Sequence, residues 1–217
     1  MKKAFTFLLV ATIMIGYSQK SKTPFEGLIK YSHTVVAIDK DFDVNYDYQG
    51  IGKSSDYYFK RGNIKWLTYE SYFKMDLFIA KENRDYFLTN KSDSIFTLKT
   101  TGPDFKIIDT KIEKGVTKIL GHSCDVLTIT LKPLNAETPI TKRKYYYSAD
   151  YYINPEDFTK CTSSGYGVIY GAMKSIPLKI EYMFPNRTII WEATEIKPIK
   201  LEDIFFAVDK NAHLGYW

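Results

Sequence analysis

The chain has 217 residues, enough for one domain with a sizeable core and too few for several. Apolar residues make up 45% and charged residues 25%, a balance that excludes intrinsic disorder. The net charge of +5 is spread along the chain, and Lys142-Arg143-Lys144 is its one short basic run. Dedicated nucleic-acid binding, which needs clustered Lys and Arg, is therefore not expected. The unusual feature is aromatic content, with 18 Tyr and 14 Phe, residue types that favour strands and half-buried surfaces.

The N-terminus has the pattern of a secretory signal. Lys2 and Lys3 precede an apolar run from Ala4 to Ile15, and Gly16-Tyr17-Ser18 supplies small residues at the −3 and −1 positions of a cleavage site. As a helix the apolar run reaches about 18 Å, short of a bilayer core of about 30 Å. The expected organisation is a signal peptide over 1–18, a leader over 19–24 and a single β-rich domain over 25–217. No transmembrane segment is expected after cleavage, and the expected location is periplasmic or extracellular.

After the leader the chain reads as strand, turn, strand. Phe25 to Val36 alternates as a long first strand, and Asp39 to Asp47 reads as a polar loop. Strands follow at Ser55–Lys60 and Ile64–Tyr69, joined by Arg61-Gly62-Asn63, then at Lys74–Ala80, Asp85–Thr89 and Ser94–Lys99. Ile107–Glu113 and Ser123–Lys132 flank a turn region near Gly115 and Gly121, and Lys142–Ser148 is a tyrosine-rich strand. Asn154-Pro155-Glu156-Asp157-Phe158 reads as a capped helical turn, with Asn at the cap and Pro at the first position. Pro177–Phe184 and Arg187–Ile196 form a hairpin around Pro185-Asn186, and Leu201–Phe206 is a short helical or irregular segment. Short strands with almost no helical pattern predict a mainly β fold: an antiparallel curved sheet, barrel or half-barrel, with one or two short helices. A sandwich is the alternative.

The residues that carry chemistry are sparse. His33, His122 and His213 lack partners at zinc spacing, and no HExxH, GxSxG or phosphate-binding loop occurs, so no metal, cofactor or catalytic residue is assigned. His122 lies two residues from Cys124, the only near-pair that resembles a nucleophile and its base. In an oxidising compartment Cys124 and Cys161 are expected to form a disulfide. Asp39, Asp41 and Asp43 start like a calcium loop, but the glycine and glutamate such a loop needs are missing. The aromatic stretches suggest the wall of an apolar ligand cavity, with Tyr58, Trp66, Tyr145, Tyr147 and Tyr182 as candidate contacts. Alternation puts Tyr146 on the face opposite Tyr145 and Tyr147.

Several segments together resemble a known group. Phe25-Glu26-Gly27-Leu28-Ile29-Lys30-Tyr31 is similar to the first strand of small exported domains of Bacteroidota. Thr117-Lys118-Ile119-Leu120-Gly121-His122-Ser123-Cys124 is similar to their segment before a long strand. Tyr146-Tyr147-Ser148, the Gly-rich Gly165 to Gly171, and Ile176 to Tyr182 follow in the same order, and Leu201 to Phe206 resembles the ending of LolA-like domains. The chain thus resembles the LolA/LolB-like superfamily and the GLPGLI-motif proteins grouped near it, with Tyr170 to Leu178 standing in place of the GLPGLI string. The resemblance implies a half-barrel with helices on its concave side. The expected role is a non-enzymatic envelope binder or carrier of an apolar or lipid-like ligand. The alternative is an accessory protein that binds another envelope protein.

Overall fold

The computed structural model describes residues 23–99, 105–134, 139–161, 165–208 and 213–216. The expected signal peptide and most of the leader lie outside the described residues. In chain order the elements are β1 (Gly27–Ala37), α1 (Val44–Ile51), β2 (Ser54–Lys60), β3 (Asn63–Tyr69), β4 (Phe73–Ile79), β5 (Arg84–Thr89) and β6 (Ile95–Lys99). Then come β7 (Phe105–Ile119), β8 (His122–Pro133), β9 (Thr141–Tyr152), α2 (Tyr166–Met173), β10 (Ser175–Met183), β11 (Arg187–Pro198) and β12 (Leu214–Tyr216). Among the described residues, 3₁₀ turns lie at Pro155–Phe158 and Asp203–Phe206.

All twelve strands belong to one curved open sheet in the order β12-β6-β5-β4-β3-β2-β1-β11-β10-β9-β8-β7. Pairing is antiparallel except between β12 and β6. Neighbours in sequence are neighbours in space on each side, which local hairpins explain. The two halves are joined where β1 pairs with β11, from Gly27 opposite Pro198 to Ala37 opposite Arg187. The chain is mainly β, as the alternation predicts, and the sheet has the curvature of a half-barrel.

Period-two alternation sends one set of side chains into the concave side. Ile29 and Tyr31 on β1, Tyr57 and Phe59 on β2, Leu127 and Ile129 on β8, and Leu178 and Ile180 on β10 belong to one buried cluster. α2 and the turn Pro155–Phe158 plug the concavity. Phe158 is fully buried, stacked on Tyr170 of α2 with ring centroids 4.2 Å apart, and it also faces Phe59 and Phe78. Asn154 caps its turn, as expected, by accepting from the Glu156 amide. A second, smaller cluster on the convex side joins Leu77, Tyr86 and Phe206, and it anchors the C-terminal turn.

The structure corrects several expectations. The polar loop assigned to Asp39–Asp47 overlaps a helix: Asp43 caps α1 by accepting from the Asn45 amide. Asp47, one turn in, is buried and ion-paired with Arg187 of β11. A run of polar residues hid an amphipathic turn whose buried member is a carboxylate. The Gly-rich stretch after Gly165 is also helical; Tyr166, Ile169, Tyr170 and Met173 give the apolar spacing of α2. Gly167 lets α2 pack close to the preceding turn: a Cβ there would lie 3.2 and 3.1 Å from the Phe158 and Cys161 carbonyl oxygens, which would have to give way. β7 runs through Gly115 without a turn, absorbing the extra residues as a bulge between Glu113 and Thr117. Cys124 and Cys161 are buried and not joined by a disulfide. The Cys124 thiol instead donates to the His122 carbonyl, while Cys161 follows the Phe158 turn, its amide bonded to the Phe158 carbonyl.

Candidate functional site

The enclosed space that remains inside the concavity lies between β2, β3, β9 and β10 on one side and α2 on the other. Its volume is about 220 Å³, and its wall includes Tyr57, Trp66, Arg143, Tyr145, Tyr166 and Tyr182. Two larger depressions, of about 370 and 730 Å³, are more open. One runs past Phe25, Tyr151 and Lys200, and the other lies beside α1 at Tyr46, Glu70 and Tyr72. The inner cavity is below the roughly 300–1,000 Å³ usual for small-molecule sites. Its size suits a slender ligand or one end of a longer one.

Each wall residue is placed by strand register. Tyr57 lies opposite Trp66, and Tyr145 lies opposite Ile180 and Leu127. The rings form a continuous aromatic surface. Trp66 stacks on Tyr31 at 5.6 Å, meets Tyr57 edge-on at 4.8 Å and lies 4.6 Å from Trp191. Trp191 meets Tyr182 at 5.3 Å. Hydroxyl groups tie this surface down: Tyr31 donates to the Pro177 carbonyl at 2.5 Å, and the Tyr57 and Tyr170 hydroxyls are 3.1 Å apart. The indole nitrogens of Trp66 and Trp191 are buried and have no hydrogen-bond partner. Such unsatisfied donors are uncommon in a folded interior.

Charge enters the concavity at two places, and Arg143 is the one on the cavity wall. Arg143 on β9 lies over the rings of Phe105 and Tyr182, at 5.0 and 5.3 Å. Its guanidinium is held charged despite burial by the neighbouring Tyr145 and Tyr182 oxygens. Asp76 on β4 points into the concavity from the opposite wall. It faces open space, yet the surrounding protein withdraws enough solvent to push its carboxyl up to about 6. Burial likewise raises the phenols of Tyr145, Tyr166 and Tyr182, so all three stay protonated at neutral pH and can donate hydrogen bonds.

Of the five candidate contacts read from the sequence, Trp66, Tyr145 and Tyr182 come together on this wall. Tyr58 is on the convex face against Phe205, with ring centroids 4.7 Å apart. Tyr147 is buried further along β9, opposite Asp125 and Pro177, off the cavity wall. Sequence reasoning missed Arg143, read only as part of a short basic run, and Tyr166 and Tyr170, hidden in the Gly-rich stretch. Alternation carried the signal for Arg143: it shares a strand face with Tyr145, two residues away.

The His122–Cys124 pair does not form a nucleophilic couple. The imidazole is bonded through Nδ1 to Asp150 and through Nε2 to the Tyr151 hydroxyl, each at 2.8 Å. The thiol donates to the His122 carbonyl, and burial pushes it up, away from the reactive thiolate. His33 is buried, stacked on Trp191 at 4.9 Å, and bonded to Ser55 and to the Ile51 carbonyl, so it locks α1 to the sheet.

Among known proteins, no protein-family model matches the chain, and no curated protein matches it either.

Proposed function

We propose that this protein is an exported, non-enzymatic binder or carrier of an apolar or lipid-like ligand, held in the concavity of the curved sheet. The observation that carries the reading is the enclosed aromatic cavity between the sheet and α2, walled by Tyr57, Trp66, Tyr145 and Tyr182. Concave sites lined by aromatic side chains with convergent polar groups are the usual form of a small-molecule site. The signal-like N-terminus and the resemblance to LolA/LolB-like domains support export and a lipid-like ligand.

Native mass spectrometry of the protein isolated from its own envelope, with organic extraction, tests this. A stoichiometric adduct of lipid size is the expected result. A clean apo mass that persists after incubation with envelope lipids would sink it.

A second reading, an accessory protein that binds another envelope protein, is favoured by β7. Among the described residues this 15-residue strand is last in the sheet, with one side unpaired, and it leaves Ile108, Ile112 and Val116 exposed. Such an edge can accept an added strand. A protein partner recovered with the apo mass, and lost on Ile112→Lys, would shift the weight to it.

A further inference from the structure

The polar groups around the cavity are unbalanced. Trp66 and Trp191 offer buried N–H donors with no acceptor. Arg143 offers five more N–H donors. Among the described residues no Asp or Glu lies within 4 Å of its guanidinium, and its neighbours are the rings of Phe105 and Tyr182 and the phenol of Tyr145. A mostly buried cation without an acid partner is costly, and proteins ordinarily pair it. Lys60 pairs with Glu26 and Asp203, Lys179 with Glu181 and Glu192, and Arg187 with Asp47. Lys65, also half-buried, has no ion pair among the described residues but donates to the Phe205 carbonyl on the convex side, whereas Arg143 lies on the cavity wall.

Arg143 is the charged side chain on the printed wall of the cavity, so an anionic group is attracted to that end, near Tyr145 and Tyr182. Arg is also the side chain best suited to a planar or multidentate oxyanion, through its fork of donors.

We infer that the ligand of this cavity is an amphiphile with a single apolar chain and an anionic head, whose head is bound by Arg143 beside Tyr145. This rests on the apolar-ligand reading above and adds the head group to it. The small volume limits the occupant to one chain, and the aromatic wall of Tyr57, Trp66 and Tyr182 receives it. Carboxylate and phosphate heads share the required chemistry.

The test is calorimetric titration of the protein with decanoate, decyl phosphate and decan-1-ol, three probes with one chain and different heads. Quenching of the Trp66 and Trp191 fluorescence gives a parallel readout. At least one anionic probe is expected to bind about tenfold tighter than the alcohol, and whichever does so names the head. The preference should disappear in Arg143→Met, which keeps the apolar stem, and survive in part in Arg143→Lys. Equal affinity for all three probes, unchanged in Arg143→Met, would overturn the inference and leave the apolar-ligand reading standing. Failure of all three to bind or to quench would overturn both. Alcohol binding by Arg143→Met shows that the variant is folded. If it is not, the ratio of affinities in the unaltered protein still decides.

Discussion

Replacing Asp76 with Asn should make the protein more stable at neutral pH. The carboxyl sits on β4 facing the concavity, with its ionisation raised from 3.8 to about 6 by burial. That burial is the sole cause, so no cation offsets the charge. At about 1.4 kcal/mol per tenfold change in proton affinity, holding it ionised in the folded state costs at most about 3 kcal/mol. The side chain also faces water in the concavity, and screening reduces the expected cost to about 1 kcal/mol. The sign follows from linkage. A group whose folded value is raised contributes stability that is fully present below 3.8 and is lost as pH rises through about 6. Asp76→Asn should therefore raise the urea midpoint at pH 7.5 and leave it unchanged near pH 3.5. Urea unfolding followed by tryptophan fluorescence across that range measures the difference. A variant that is neutral or less stable at pH 7.5, with no pH dependence of the difference, would show that a partner compensates the carboxylate and would refute the argument. A gain in stability coupled to weaker ligand binding would identify Asp76 as a residue kept for the site at the expense of the fold.

Three further outcomes test the framework around the site. Arg187→Met removes the buried partner of Asp47 and should cost about 2–3 kcal/mol, below the full value for a wholly buried pair because the guanidinium is partly exposed. A loss under about 0.5 kcal/mol, typical of the surface, would mean that α1 is held by other contacts. Burial lowers the ionisation of His33, so its neutral form is the native one. Its contribution is present above about 6.5 and falls as pH drops below that value toward the lower folded one; His33→Gln should flatten that part of the curve relative to the unaltered protein, and parallel curves would exclude the assignment. Gly52→Ala should lose more than about 1 kcal/mol by thermal unfolding, because φ is +66° and a Cβ would lie 2.1 Å from the Tyr69 carbonyl oxygen. A neutral result there would require the α1–β2 junction to move.

The strands were legible because each carries its own signal. Apolar and polar residues alternate along Pro177–Phe184, and Pro185-Asn186 marks the reversal that β10 and β11 show. The Asn154 cap was legible for the same reason, since cap, proline and acids lie within one turn. α2 was partly legible: its spacing is helical, but two glycines and a short length weakened the signal. α1 was not, because its buried residue is Asp47, whose burial makes sense only beside Arg187, distant in sequence.

The site divides along the same line. Sequence by itself determined a mainly β chain rich in aromatics and named Trp66, Tyr145 and Tyr182 among its wall candidates, because residue type and two-residue periodicity are local properties; that the strands form one curved sheet and not a sandwich was decided by the tertiary structure. Tertiary structure alone decided that Tyr58 faces outward and that Tyr147 is off the wall. It also placed Arg143 on the cavity wall with no ion pair among the described residues, and set Asp76 opposite Trp66 in the register of β3 and β4. Those facts depend on which strand lies beside which and on where α2 settles in the concavity, and no local pattern encodes either.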